Sequence, residues 1–163
     1  MDNYEFLLIT ELENYFGNDL KRINHAMKVL NFAKAIMQKE GGDSHIIVPS
    51  AILHDIGIKE CERKYNSVAG ELQEKESPLV ALEILRKIAY PDSYISEIIE
   101  IISHHHSIGM VKTLNFQVLF EADWLVNLGE DYKDVNRIQK ETMINNNFQT
   151  KAGMHLVKIL YLE

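Results

Sequence analysis

A histidine and an aspartate stand side by side near the end of an apolar stretch of the sequence. The stretch reads Ala-Ile-Leu-His-Asp-Ile-Gly, in which His54 and Asp55 are followed by Gly57. Glycine often follows the last turn of a helix, so the pair is predicted to end a buried helix and to point into a cleft. There the two side chains can bind one metal ion. The alternative is a solvated surface pair, since the dipeptide alone is weak evidence.

Two further candidate ligands lie far from this pair in the chain. His25 falls among apolar residues in a helical pattern, where it is either a ligand or a hydrogen-bonded core residue. Asp123 shares its predicted helical face with Leu119, Ala122 and Val126. An isolated buried carboxylate is costly, so Asp123 is predicted to pair with a cation; the alternative places it on the wet side of the helix. Imidazoles and carboxylates together suit Mn²⁺, Fe²⁺, Co²⁺, Ni²⁺, Zn²⁺ or Mg²⁺ and leave positions for water and substrate.

A run of three histidines forms a second cluster. Ile98 and Ile102 lead to His105 by helical steps, so His105 is predicted to continue the buried face and His104 to point away. Which of the three, His106 included, faces the cleft is left open. The alternative is a helix C-terminus at which imidazoles meet the helix dipole.

The elements that must position these residues are helical. Only three prolines and eight glycines interrupt the sequence, and helical spacing of apolar residues dominates. One helix is predicted from Tyr4 to Phe16 and a long one from a cap at Asp19 to about residue 40. Ser77 is predicted to cap another helix that Pro78 opens. The fold class is all-α, a compact bundle of about seven helices in one domain over residues 1–163.

Residues 58–76 are polar, charged and aperiodic. The segment is predicted to be either a mobile loop over the cleft or a solvated connector.

Composition and charge restrict the class of partner. The formal net charge of −7 disfavours a nucleic-acid polymer, which usually requires a basic face. The single cysteine allows no disulfide within the chain and indicates a reducing compartment. No apolar run approaches the roughly 20 residues needed to span a membrane, so no membrane partner is expected. The first five residues lack the basic residues that open a signal peptide, and a cytoplasmic location is expected.

The order His, His-Asp, Asp resembles the HD-domain superfamily of metal-dependent phosphohydrolases. The resemblance covers most of the chain and rests on short motifs whose order and spacing are specific. The similar segments are 22–25, 53–57, 77–85, 102–106, 122–125 and 148–153. The resemblance implies an HD-type helical fold and a divalent metal ion held by His25, His54, Asp55 and Asp123. A second ion is left open, and the separation of His105 from Asp123 resembles that in two-metal members.

One position departs from the family pattern. Two-metal members carry a histidine before the proline, where this chain has Ser77 preceded by Glu76. Two alternatives follow: Glu76 replaces the histidine as an oxygen ligand, or the second metal ion is missing. His104 is a further candidate ligand. Lys59 follows the His-Asp motif one place later than a lysine of some relatives. By resemblance, catalytic roles are assigned to Asp55 and Lys59, and Arg63 and Lys64 are further candidates to hold phosphate.

The resemblance implies hydrolysis of a small phosphorylated substrate, a nucleotide by family analogy, through metal-activated water. The first alternative is a non-catalytic nucleotide-binding or regulatory module. The second is a di-iron oxygenase, which needs a full set of six ligands and is disfavoured by Ser77. The oligomeric state is left open, a homodimer included.

Overall fold

The computed structural model describes residues 2–163, which form nine α-helices and no β-strand. The helices are α1 (Asp2–Phe16), α2 (Leu20–Glu40), α3 (Ser44–Leu53), α4 (Ile58–Tyr65), α5 (Gly70–Lys87), α6 (Asp92–Ser103), α7 (Leu114–Glu130), α8 (Arg137–Asn147) and α9 (Lys151–Tyr161). The predicted all-α class is confirmed, and the predicted number of helices is too low. Across residues 2–163, no helix combines the length and the apolar character that crossing a membrane requires.

Capping residues fix the ends of the helices that carry the site. The Asp19 carboxylate accepts a hydrogen bond from the backbone N–H of Arg22 at the start of α2, as predicted. Gly41, with φ of 88°, ends that helix in a backbone conformation that glycine adopts without strain. The Thr113 hydroxyl accepts from the N–H of Phe116 and begins α7.

Helix α3 lies at the centre of the fold. It packs against α1, α2, α6 and α7, and eight of its ten residues are buried. A helix that is apolar on every side is stable only when it is covered on every side. The residues that follow its last turn at Leu53 therefore emerge inside the protein, and His54 is fully buried.

Helices α2 and α7 pack extensively against each other, and both contact α3. This packing brings the His25 side of α2 to the Asp123 side of α7, at the end of α3. Helix α6 contacts α3 from another side and delivers the histidine run that follows it. The four helices thus surround one point in the interior.

The prediction of a loop over residues 58–76 is wrong. The segment contains all of α4 and the first turns of α5, so Pro78 lies inside a helix instead of opening one. Only Cys61 of α4 is buried, and Arg63 pairs with Glu60 at 2.7 Å along its exposed face. One buried residue per two turns leaves no apolar stripe in the sequence, which is why the helical periodicity was hidden.

Candidate metal centre

Four side chains from three distant segments converge at the end of α3. Nε2 of His25 lies 3.1 Å from Oδ1 of Asp123 and 3.6 Å from Oδ2 of Asp55. Nε2 of His54 lies 3.4 Å from the same Asp123 oxygen and 3.5 Å from the same Asp55 oxygen. Two imidazole nitrogens and two carboxylate oxygens therefore enclose one point. Ligand atoms of His25, His54 and Asp55 lie within 4.8 Å of one another and could hold a metal ion, and Asp123 is a neighbouring carboxylate of both imidazoles.

The opposite nitrogen of each imidazole is already bound to an acceptor. Nδ1 of His25 lies 3.0 Å from a carboxylate oxygen of Glu130, and Nδ1 of His54 lies 2.9 Å from the carbonyl oxygen of Ala51. Both oxygens only accept, so both Nδ1 atoms carry the hydrogen and, in the neutral ring, Nε2 carries the lone pair. Acceptors on the second nitrogen are the usual arrangement around metal-binding histidines.

His54 provides the test of whether the site fits a cation. Its Nε2 is buried and has no hydrogen-bond partner among the described residues, yet it faces the carboxylates of Asp55 and Asp123. A lone pair that faces two carboxylates is unfavourable unless a proton or a cation lies between them. The donor set therefore fits a divalent metal ion.

The protonation equilibria show how strongly the cluster favours positive charge. Burial lowers the pKa of His25, but the hydrogen bond to Asp123 and the charges of Asp123 and Asp55 outweigh burial and raise the pKa to about 9. The pKa of His54 is also raised, because the charge of Asp55 and the contact with Asp123 outweigh burial. Burial raises the pKa of both carboxyl groups, but the neighbouring histidines hold each pKa below its ordinary value.

A second group of candidate ligands shares Asp55 with the first. Nε2 of His105 lies 3.1 Å from Oδ1 of Asp55, and its Nδ1 donates to the carbonyl of Ile102 at 2.6 Å. Ligand atoms of Asp55, His105 and His106 lie within 4.8 Å of one another. His105 is buried, as its helical spacing predicted. The structure does not bring His104 to this group, since its Nδ1 contacts the carbonyl of Glu100.

Two predicted site residues contact other groups. The Lys59 ammonium donates to the carbonyl of Tyr15 at 2.8 Å, so the structure does not bring it to the cluster. The two carboxylate oxygens of Glu76 accept from Lys64 at 2.6 Å and from the Tyr65 hydroxyl at 2.7 Å. Glu76 belongs to neither group of candidate ligands among the described residues. Arg63 pairs with Glu60 on α4, and Lys64 pairs with Glu76 on α5, so these contacts occupy both side chains outside the cluster.

Ser77 has a structural contact at the position where two-metal relatives carry histidine. Its hydroxyl accepts from the backbone N–H of Gly57 at 3.0 Å. A Cβ atom on Gly57 would lie 2.3 Å from the backbone nitrogen of Ser77. Gly57 thus permits α5 to pack directly on the backbone behind the His-Asp pair.

Glu130 contacts the cluster, although the sequence patterns did not indicate it. One of its oxygens accepts from His25 Nδ1 and the other from Lys28 Nζ at 2.8 Å. Glu130 follows Asp123 by seven positions, two helical turns, so it lies on the same face of α7. That spacing was the available signal, but the polar end of α7 resembles an ordinary solvated helix end.

Two clefts reach the cluster from different sides. The first, which we call the α2 cleft, has a volume of about 270 Å³ and its lining includes Lys21, Arg22, His25, Asp55 and Glu130. The second, which we call the aromatic cleft, has a volume of about 180 Å³ and its lining includes Phe120, Asp123, Trp124, Tyr132, His105 and Ile108. His106, Asn127 and Asp131 line both, so the clefts adjoin at the cluster.

Comparison with known proteins agrees with this architecture. The family model of the HD domain matches residues 22–128, a span that contains all four converging side chains. The chain belongs to the HD-domain family. Its structure is similar to the crystal structure of a predicted HD superfamily hydrolase from an uncultured Thermotogales bacterium, with a TM-score of 0.67 and 19% identity. That comparison covers 95% of this chain and 83% of the other, and at this identity it shows a shared fold. No curated protein matches the sequence significantly.

Proposed function

We propose that this protein is a metal-dependent phosphohydrolase and that His25, His54, Asp55 and Asp123 bind one divalent ion. The proposal rests mainly on Nε2 of His54, which is buried and has no hydrogen-bond partner among the described residues. It faces the carboxylates of Asp55 and Asp123, and Nε2 of His25 faces the same two carboxylates. Membership of the HD-domain family supports the same assignment. Mn²⁺, Fe²⁺, Co²⁺, Ni²⁺, Zn²⁺ and Mg²⁺ all accept a mixed nitrogen and oxygen ligand set.

The residues around the ion divide the remaining tasks. A bound divalent ion supplies charge to stabilise a phosphoryl group and lowers the pKa of water. Asp55 lies at the boundary of the two candidate ligand groups, so its second oxygen, held by His105 Nε2, can position a water molecule. In this contact Nε2 of His105 donates to the Asp55 carboxylate, so the ring orients that carboxylate. Its Nδ1 is held by the Ile102 carbonyl, which fixes the ring for this role.

The substrate is a small phosphorylated molecule, and family resemblance favours a nucleotide. The α2 cleft opens over His25 and Asp55, with Lys21 in its lining. The Lys21 ammonium makes no ion pair with any described residue and is free to contact phosphate. Arg22 lines the same cleft, but Asp19 and Glu62 accept from its guanidinium at 2.5 and 2.6 Å.

The test measures bound metal and hydrolysis in the same preparations. Asp55→Ala and His54→Ala are expected to lose bound metal and hydrolysis of a nucleotide panel. His45→Ala, a histidine outside the cluster that stacks on Tyr94, is the matched control and should retain both. Full activity in either cluster variant would refute the proposal.

Two other outcomes would replace the proposal with a different function. Tight nucleotide binding by the metal-loaded protein, without turnover of any compound in the panel, would identify a binding or regulatory module. Two iron ions per chain with the absorption of a bridged di-iron centre would identify an oxygenase.

A further inference from the structure

The aromatic cleft has no assigned role in binding the phosphoryl group. Trp124 and Tyr132 stack there with ring centroids 5.5 Å apart and an interplanar angle of 16°. Both rings are partly exposed, and Phe120 packs beside Trp124 at 6.4 Å. Because the two rings cover each other on one side, a flat ligand ring can stack on an outer face of this pair. Because Asp123 and His105 also line this cleft, such a ring would lie next to the metal centre.

The charges around both clefts limit how many phosphoryl groups a ligand can carry. One lysine and one arginine line the clefts, Lys21 and Arg22. Arg22 is already paired with two carboxylates, whereas Lys21 makes no ion pair with the described residues. Asp131 lines both clefts, and its carboxylate is exposed and likewise unpaired. A phosphomonoester carries a charge of roughly −1.5 to −2 at neutral pH. The metal centre and Lys21 can balance that charge, whereas added phosphoryl groups would face Asp131 and Glu130.

The volumes of the clefts also favour a small ligand with one phosphoryl group. Volumes of about 270 and 180 Å³ lie at or below the lower end of small-molecule sites, roughly 300 Å³. The aromatic cleft can therefore accept one ring system, and the α2 cleft one compact charged group. Asn127 lines both clefts and makes no side-chain hydrogen bond to the described residues, so its amide is available where the two parts of a ligand would join.

We infer that the substrate is a nucleoside monophosphate, whose base stacks in the aromatic cleft against Trp124 and Tyr132 while its single phosphoryl group lies at the metal centre. This inference rests on the proposed function for the position of the phosphoryl group. The stacking of the base does not depend on hydrolysis and is tested separately.

Trp124 is the only tryptophan in the chain, so its fluorescence reports on this cleft alone. Adenosine should quench it saturably even in the metal-free protein, and ribose 5-phosphate should not. In the metal-loaded protein, adenosine 5′-monophosphate should quench it within the first turnover, as followed by stopped flow. Lack of quenching by both adenosine compounds would overturn the inference.

A variant and a matched control separate stacking from general damage. Tyr132→Leu removes one ring of the pair and retains the reporter, and it should weaken binding of adenosine 5′-monophosphate about tenfold, within the range measured for base stacking. Ribose 5-phosphate, titrated by calorimetry, should bind this variant and the wild type equally. Phe6→Leu changes an exposed aromatic residue of α1 outside both clefts and should bind both compounds like the wild type. Unchanged binding of the monophosphate by Tyr132→Leu would contradict the assignment.

The limit to one phosphoryl group is tested at a fixed concentration of free metal ion. Adenosine 5′-triphosphate should bind at least about tenfold more weakly than the monophosphate, and Asp131→Asn should reduce this difference. Tighter binding of the triphosphate would refute the monophosphate assignment.

The remaining outcomes distinguish this inference from the proposed function. Equal kcat/KM for ribose 5-phosphate and adenosine 5′-monophosphate, without quenching, would overturn the aromatic subsite and leave the hydrolase intact. Quenching by adenosine in a protein that binds no metal and hydrolyses no phosphoester would refute the hydrolase and support the subsite.

Discussion

Replacement of Glu130 by alanine tests whether a residue that would not touch the ion determines how tightly it binds. Glu130 Oε2 lies 3.0 Å from His25 Nδ1 and keeps the hydrogen on that nitrogen, so Nε2 faces Asp123 and Asp55. The Glu130 side chain is 26% exposed, so water can enter but does not fix the ring. Loss of such a carboxylate behind a metal-binding histidine typically costs 10–100-fold in affinity, or about 1.4–2.8 kcal/mol. We expect Glu130→Ala to weaken metal binding within that range.

The assay is competition against a metal-binding dye at constant pH, with the free energy of unfolding measured in parallel. Lys28→Ala is the matched control, because it removes the other partner of Glu130 and leaves the contact with His25. The Lys28 side chain is 57% exposed, and exposed ion pairs contribute about 0–1 kcal/mol, so this variant should bind metal nearly as the wild type does. Metal affinity in Glu130→Ala equal to that in Lys28→Ala would refute the reasoning.

Three further predictions concern the stability of the protein. In the metal-free protein the pKa of His25 is raised to about 9 from its ordinary 6.5, so its protonation contributes stability that is complete below pH 6.5 and is lost as the pH rises through 9. Urea unfolding with a chelator should show a loss of about 3 kcal/mol at most over that interval, and a His25→Gln variant with the same slope would contradict it. Gly57→Ala should destabilise more than Ser77→Ala, whose lost hydrogen bond costs about 1–2 kcal/mol, because the added Cβ would meet backbone that cannot rotate away. Gly153→Ala should cost about 2–4 kcal/mol in thermal unfolding, since its Cβ would lie 1.9 Å from a carboxylate oxygen of the buried Glu121; an unchanged Tm would show that the carboxylate can move.

The parts of the site that the sequence predicted are those in which local pattern and tertiary packing agree. His54 follows a helix made almost entirely of apolar residues, and such a helix has to be buried whatever surrounds it. Asp123 and His105 each continue an apolar face, and both are buried in the structure. The spacing of these residues in the sequence does not show that their side chains converge, because the packing of α2 on α7 brings them together. The ordered motif carried that information only through resemblance to a family.

The predictions that were wrong concern residues for which the local sequence pattern does not reflect the tertiary packing. Helix α4 is held by charged pairs and one buried cysteine, so it has no apolar period to detect. Lys59 follows the motif at nearly the expected place, but the helical geometry of α4 turns its ammonium to the carbonyl of Tyr15. Glu130 and Lys59 show that charged residues cannot be assigned from spacing alone, since a long side chain can reach several partners and its neighbours in space decide among them.

The electrostatics of the cluster connect the stability of the fold to the proposed chemistry. Asp123 and Asp55 are held ionised beside two imidazoles whose pKa values are raised, so in the metal-free protein protons balance the buried negative charge. A divalent ion would replace those protons at the same nitrogen atoms, which makes proton and metal binding competitive. Metal affinity should therefore rise with pH over the interval in which the metal-free protein loses stability. A divalent ion at this point would take the place of those protons and would lie beside both clefts.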